Sequence, residues 1–180
     1  PNDEETLTKL ALILYELKKF KNALLIINKI LELKPKNFSI LRNKALIYEN
    51  LLNYEKAIQI YNSCLFLEPK NVNIYNSIAV LLFKLGNIKQ SIITLKKALN
   101  INPNSSEVLV NYGTILNEIG ETDVAINILE KTLKINPNNY LAKKNLAIAF
   151  KNKGEFLISI KLFNKILKIN PDDFEANNIL

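Results

Sequence analysis

Apolar and polar positions along this chain recur with the period of a helix rather than of a strand. In one stretch Ile40, Leu41, Ala45, Tyr48 and Leu52 follow each other at helical spacing, and in another Ile74, Tyr75, Ile78, Ala79 and Leu82 do the same. Each such stretch predicts a helix of about fourteen residues, here helix A. A break follows, holding Gly86-Asn87, Gly120-Glu121 or Gly154-Glu155, where glycine can take the left-handed conformation that ends a helix. A second periodic stretch comes next, such as Ala57, Ile58, Tyr61, Cys64 and Leu65, and runs to a proline. This is helix B. Its end is set by the proline, which removes a backbone donor and pushes the preceding residue out of the helical region.

The punctuation is strictly periodic. Pro35, Pro69, Pro103, Pro137 and Pro171 lie 34 residues apart, as do Gly86, Gly120 and Gly154, and Leu31, Leu65, Leu99, Leu133 and Leu167. Cutting two residues after each proline gives five units, 4–37, 38–71, 72–105, 106–139 and 140–173, taken together as one domain spanning 1–180. Just before each unit, and again after the last, stands a favoured N-cap residue: Asp3, Asn37, Asn71, Ser105, Asn139 and Asp173. Residues 174–180 would then begin a sixth helix A. Phe174, Ile179 and Leu180 lack the polar face of a closing helix, which suggests an end that continues or docks on something, and the opening Pro1 suggests a segment cut from a longer chain. One hairpin of this length cannot bury enough apolar surface to fold alone, so the units must stack.

A 34-residue helix-turn-helix unit of this kind resembles the tetratricopeptide repeat, over residues 4–173. The fourth unit carries the family pattern as Leu109, Tyr112-Gly113, Leu116, Ala125, Leu129 and Pro137, and the second as Leu41, Ala45, Tyr48, Ala57, Tyr61 and Pro69. Alanine (Ala11, Ala45, Ala79, Ala147) replaces the family glycine except at Gly113, tryptophan is missing, and Ser91 and Ser159 replace the helix B alanine. The resemblance implies an all-α, right-handed superhelical solenoid whose concave wall is built from the A helices. It also implies a non-enzymatic scaffold that binds a peptide or helix of a partner protein in that groove.

Groove candidates follow from the helix period. If the fourth, seventh, eighth and eleventh residues of helix A are buried, the second, fifth, sixth, ninth and twelfth face away from helix B. The sixth place offers Lys9, Asn43, Ser77, Asn111 and Asn145. An asparagine amide can donate to and accept from a peptide backbone at once, and the row resembles the asparagine ladder with which some family members hold extended chains. Asparagine is also abundant here, at 27 of 180 residues, and abundance alone would place it in such a row. The ninth place offers Leu12, Leu46, Val80, Thr114 and Ile148, an almost wholly aliphatic strip, with Tyr15 and Phe83 one turn on. It would serve as a greasy groove floor or else complete the packing between neighbouring A helices. Arg42 and Lys144, at the fifth place, are the charged candidates. On this reading, replacing Asn111 and Asn145 by alanine weakens binding without lowering stability.

Composition and charge narrow the field. With no histidine and a single cysteine, Cys64, on the buried face of helix B, the chain has no histidine-based triad, disulfide framework or paired-cysteine metal motif. No phosphate loop or nucleophile elbow is present, and no cofactor is expected. The net charge of +7 divides as +3, +1, +4, −3 and +4 over the five units, with −1 each from Asp3 and Glu175 outside them, which breaks any continuous basic track for nucleic acid. Opposite charges on separate units would instead favour self-association. The clamp of lysines, arginine and asparagines by which chaperone adaptors of the family grip a C-terminal carboxylate is missing in every register. The first window holds Thr8, Leu12, Asn43, Asn73 and Ser77 in its places. No apolar run approaches the ~18 residues of a membrane span, which points to the cytoplasm. Two other readings are the targeting segment of a larger enzyme such as a glycosyltransferase, and, further behind, an RNA-binding helical-repeat module.

Overall fold

The computed structural model describes residues 3–173 together with Ala176 and Asn177. The expected uncapped end at Phe174, Ile179 and Leu180 lies outside the described residues. Ten helices alternate in length between 13 and 14 residues among the described residues: α1 (Glu4–Glu16), α2 (Phe20–Leu33), α3 (Phe38–Asn50), α4 (Tyr54–Leu67), α5 (Val72–Lys84), α6 (Ile88–Ile101), α7 (Ser106–Glu118), α8 (Thr122–Ile135), α9 (Tyr140–Asn152) and α10 (Phe156–Ile169). Odd-numbered helices are A helices and even-numbered ones B helices. They gather into two compact units, residues 1–87 and 88–180.

The start signals work as chemistry predicts. Asp3, Asn37, Asn71, Asn139 and Asp173 each accept a hydrogen bond from the backbone N–H three residues on, at 2.8–3.2 Å. Ser105 holds the same extended backbone conformation, but its hydroxyl makes no capping bond. At the other end, Lys34, Glu68, Asn136 and Asn170 leave the helical region, at φ −127° to −134° and ψ 78° to 89°, as the following proline requires, and each closes its helix by donating its N–H to the carbonyl four residues back. The tight A-to-B turn needs a left-handed residue. Gly120 and Gly154 supply it at φ 86°, whereas the first two repeats use Lys18 and Leu52, both at φ 56°.

Inside residues 1–87, α2 presents Ala23, Ile27 and Ile30 to Leu7 and Ala11 of its own repeat and to Ile40 and Ile47 of the next. One repeat further, Ala57, Tyr61 and Cys64 of α4 pack on Leu41 and Ala45 of α3 and on Ile74, Ile78 and Leu81 of α5. The B helix is thus the shared wall. Within residues 88–180, Ile126 and Leu129 of α8 join Val110 of α7 to Ala142, Leu146 and Ala149 of α9, and Phe163 and Ile166 of α10 join Ala147 to Ala176. Small residues sit where the helices approach. A methyl group added to Gly113 would meet the branch carbon of buried Leu129 at 2.8 Å.

Candidate functional site

The expected burial pattern of helix A is incomplete. The third and tenth places are buried as well: Ile40 and Ile47, Ile74 and Leu81, Val108 and Ile115, Ala142 and Ala149. In α3, α5 and α9 these residues fill the seam against the preceding B helix. On the A helices the second place stays exposed in every repeat, at Glu5, Ser39, Asn73, Glu107 and Leu141, while the sixth, ninth and twelfth places form a mostly half-buried wall that is closed at Asn117.

In residues 1–87 that wall forms a depression of about 180 Å³ lined by Ala11, Leu12, Tyr15, Ile27, Asn43, Leu46 and Ile47. Four of the expected groove residues therefore meet in one place: Leu12, Tyr15, Asn43 and Leu46. Leu12 is 54% exposed, a large apolar side chain offered to solvent. Tyr15 stands edge-on to Phe20 at 5.6 Å between ring centres. Its hydroxyl accepts a hydrogen bond of 3.1 Å from the Asn50 amide, which also donates to the Leu46 carbonyl at 2.8 Å. Asn50 is thus a strut that fixes two walls of the depression. The repeat pattern gives little sign of it, because three of the four equivalent places hold Glu16, Lys84 and Glu118 and only Asn152 repeats the residue type. The half-buried Asn43 amide has no hydrogen-bond partner among the described residues, so this largely apolar depression carries one open donor and acceptor pair.

The other candidates of this unit lie elsewhere. Lys9 is solvated and pairs with Glu5 at 2.6 Å. Arg42 is exposed and close enough to Tyr61 and Cys64 to favour their ionised forms slightly. Ser77 donates to the Tyr61 phenol, whose own proton goes to Glu49 at 2.5 Å. Burial, reinforced by Glu49, raises that phenol far above its ordinary range. Val80 and Phe83 are half-buried on α5. Cys64 is fully buried, and burial, followed by the charge of Glu68, pushes its thiol up to about 11, so it is a packing residue.

Residues 88–180 treat the same places differently. Asn111 and Ile148 are half-buried, Ile148 against the Ala147–Phe163 cluster. The Asn145 amide donates to the Thr114 hydroxyl at 2.6 Å, and that hydroxyl donates to the Val110 carbonyl at 2.9 Å. This rung is spent on joining α9 to α7, contrary to the expectation that removing Asn145 would leave stability unchanged. Lys144 also departs from its expected groove role. Its ammonium lies 3.2 Å from Asp173, which additionally receives the Tyr140 hydroxyl and the Ala176 N–H. These donors, Tyr140 foremost, hold the Asp173 carboxyl at about 2. Lys144 is a fastener between α9 and the capping residue after α10. Among the described residues no three acidic, cysteine or histidine side chains gather as a metal site, and no helix is long and apolar enough to cross a membrane.

Two family models described as tetratricopeptide repeat match the chain, one over residues 52–111 and the other over residues 4–37 and 106–139. Among solved structures, a tetratricopeptide repeat protein from Parabacteroides merdae aligns with a TM-score of 0.84 at 22% identity, over 97% of this chain and 70% of that one. YrrB, described as a TPR protein with an unusual peptide-binding site, aligns with a TM-score of 0.71 at 21% identity, over 98% and 91% of the two chains. MamA from Desulfovibrio magneticus, from its residue 41 onward, aligns at 0.79 and 14% identity, over 94% and 96%. These similarities establish the fold as an all-α solenoid of helix-turn-helix repeats. Searched against curated proteins, the chain matches none.

Proposed function

The chain belongs to the tetratricopeptide repeat family, whose repeats are protein-interaction modules, and we propose that it acts without catalysis as a scaffold holding a partner's peptide or helix against its A helices. The observation that carries this reading is the depression at Leu12, Tyr15, Asn43 and Leu46. Its apolar walls suit a large aliphatic or aromatic side chain of the partner. The open Asn43 amide beside them suits the backbone on either side of that anchor, since one carboxamide can both donate to a carbonyl and accept from an N–H. YrrB, a structural relative with a peptide-binding site, supports the class of ligand.

The groove works unevenly on this reading. The Asn43 rung is open, whereas the Asn145 rung is tied to Thr114, so the partner is gripped first by residues 1–87. Peptides selected by display against the intact chain, and measured by calorimetry, provide the test. Leu12→Glu and Asn43→Ala should each weaken such a peptide by about tenfold, the scale of one lost apolar anchor or one hydrogen bond left unmade. Both side chains can be replaced without opening the core. Affinities equal to the parent's in both variants would remove the proposal.

A further inference from the structure

We propose that the first turn of α10, with the lysines that follow it, is a docking surface for an anionic lipid bilayer, separate from the groove. The starting observation is a departure from the chain's own repeat. At the second position of helix B four repeats carry an exposed charge, Lys21, Glu55, Lys89 and Asp123, and the fifth carries Leu157, which is 78% exposed. Its neighbours deepen the contrast. Phe156 is 61% exposed where Phe20 and Tyr54 are half-buried, and Ile160 is exposed where Leu24, Ile58 and Ile92 are half-covered and Ile126 is buried.

The helix buries Ser159, Phe163 and Ile166, so Leu157 stands opposite the packed face and Ile160 at its edge, while Phe156, in line with that face, is left largely exposed at the start of the helix. Leu157 lies on the outward line of α10, with Lys161 four residues on and Lys168 eleven residues on, and Lys165 lies beside that line. All three lysines are exposed and carry no ion pair among the described residues. The acids near the start of the helix, Glu155 and Asp123, are both engaged by Lys153 at 3.0 Å. The face therefore offers protruding apolar groups next to uncompensated positive charge.

A bilayer with anionic headgroups fits that combination. Phe156, Leu157 and Ile160 can seat at the boundary between headgroups and acyl chains, while long lysine stems reach phosphate and carboxylate groups around them. Lysine, a flexible point charge, suits this diffuse field, where a forked contact with one defined carboxylate would call for arginine. The geometry is that of a peripheral contact made from the surface.

Vesicle co-sedimentation at low salt tests the proposal with two probes, phosphatidylcholine vesicles and vesicles of phosphatidylcholine mixed with phosphatidylserine. The chain should sediment with the mixed vesicles, and raising the salt should release it. Leu157→Lys restores the residue type of the first and third repeats and adds positive charge, so simple attraction of a +7 chain would make it bind more strongly. The proposal requires the reverse, a fall in partitioning of about tenfold, and the double variant Lys161→Glu/Lys165→Glu should lose binding as well. Leu12→Glu, in the groove, should sediment like the parent, which keeps this surface distinct from the peptide site. Failure of the parent chain to bind mixed vesicles would overturn the proposal, and so would a Leu157→Lys variant that binds as well or better.

Discussion

The turn between the helices of a repeat gives a stability test that runs in both directions. Lys18 and Leu52 occupy, at φ 56°, the place that Gly120 and Gly154 occupy at φ 86°. A residue with a Cβ held in the left-handed region costs about 1–2 kcal/mol, and glycine returns about 0.5–1 kcal/mol of that through its greater freedom in the unfolded chain. Lys18 is exposed and Leu52 is 71% exposed, so little packing is lost on shortening either. Lys18→Gly and Leu52→Gly should therefore each stabilise by about 0.5–1 kcal/mol, raising Tm by about 1–4 °C. The two sites share no partner and should add. Gly120→Ala is the mirror experiment. A Cβ there has nothing within 4 Å, so its cost of about 1 kcal/mol comes from backbone conformation alone. Thermal unfolding followed by circular dichroism reads all three. A fall in Tm for Leu52→Gly, or no loss for Gly120→Ala, would refute the reasoning.

Two further outcomes follow from the site. Asn145→Ala should cost about 0.5–1.5 kcal/mol in urea unfolding, because it removes the bond to Thr114, while Asn43→Ala should change stability by less than about 0.5 kcal/mol; equal costs would contradict the distinction between an engaged and an open rung. Asp173 titrates at about 2 in the folded chain, below its ordinary value of about 3.9. Its contribution to stability is complete above that ordinary value and is lost as pH falls toward 2. Tyr140→Phe removes the foremost donor, so the Asp173 carboxyl should titrate at higher pH in a carbon-detected NMR titration; an unmoved midpoint would show that the phenol does not hold it.

Much of the architecture was legible in the chain because the signals that make it are local. A proline removes one donor, and an asparagine or aspartate satisfies another; both act within four residues and repeat every 34. The left-handed turns at Lys18 and Leu52 were hidden because nothing about those side chains asks for positive φ; the register of the flanking helices imposes it. The third and tenth places of helix A, such as Ile47 and Leu81, were missed because one hairpin's period shows only the face turned to its own partner. Their burial is created by the preceding repeat. The site divided in the same way. Leu12, Asn43 and Leu46 could be placed on one wall by spacing alone. The fates of Asn145, Lys144 and Ser77 depend on Thr114, Asp173 and Tyr61, which lie 16 to 31 residues away in sequence. Helical period carries no information about such partners.

The groove reading stands or falls on where a bound peptide sits. With the chain labelled on its methyl and asparagine side-chain groups, NMR titration of a display-selected peptide should shift or broaden Leu12, Leu46 and the Asn43 amide first, leaving the exposed Leu25 on α2 and the Asn145 amide unchanged. Perturbations centred on the outer faces of the B helices, with the Leu12 and Asn43 signals still in place at saturation, would contradict it.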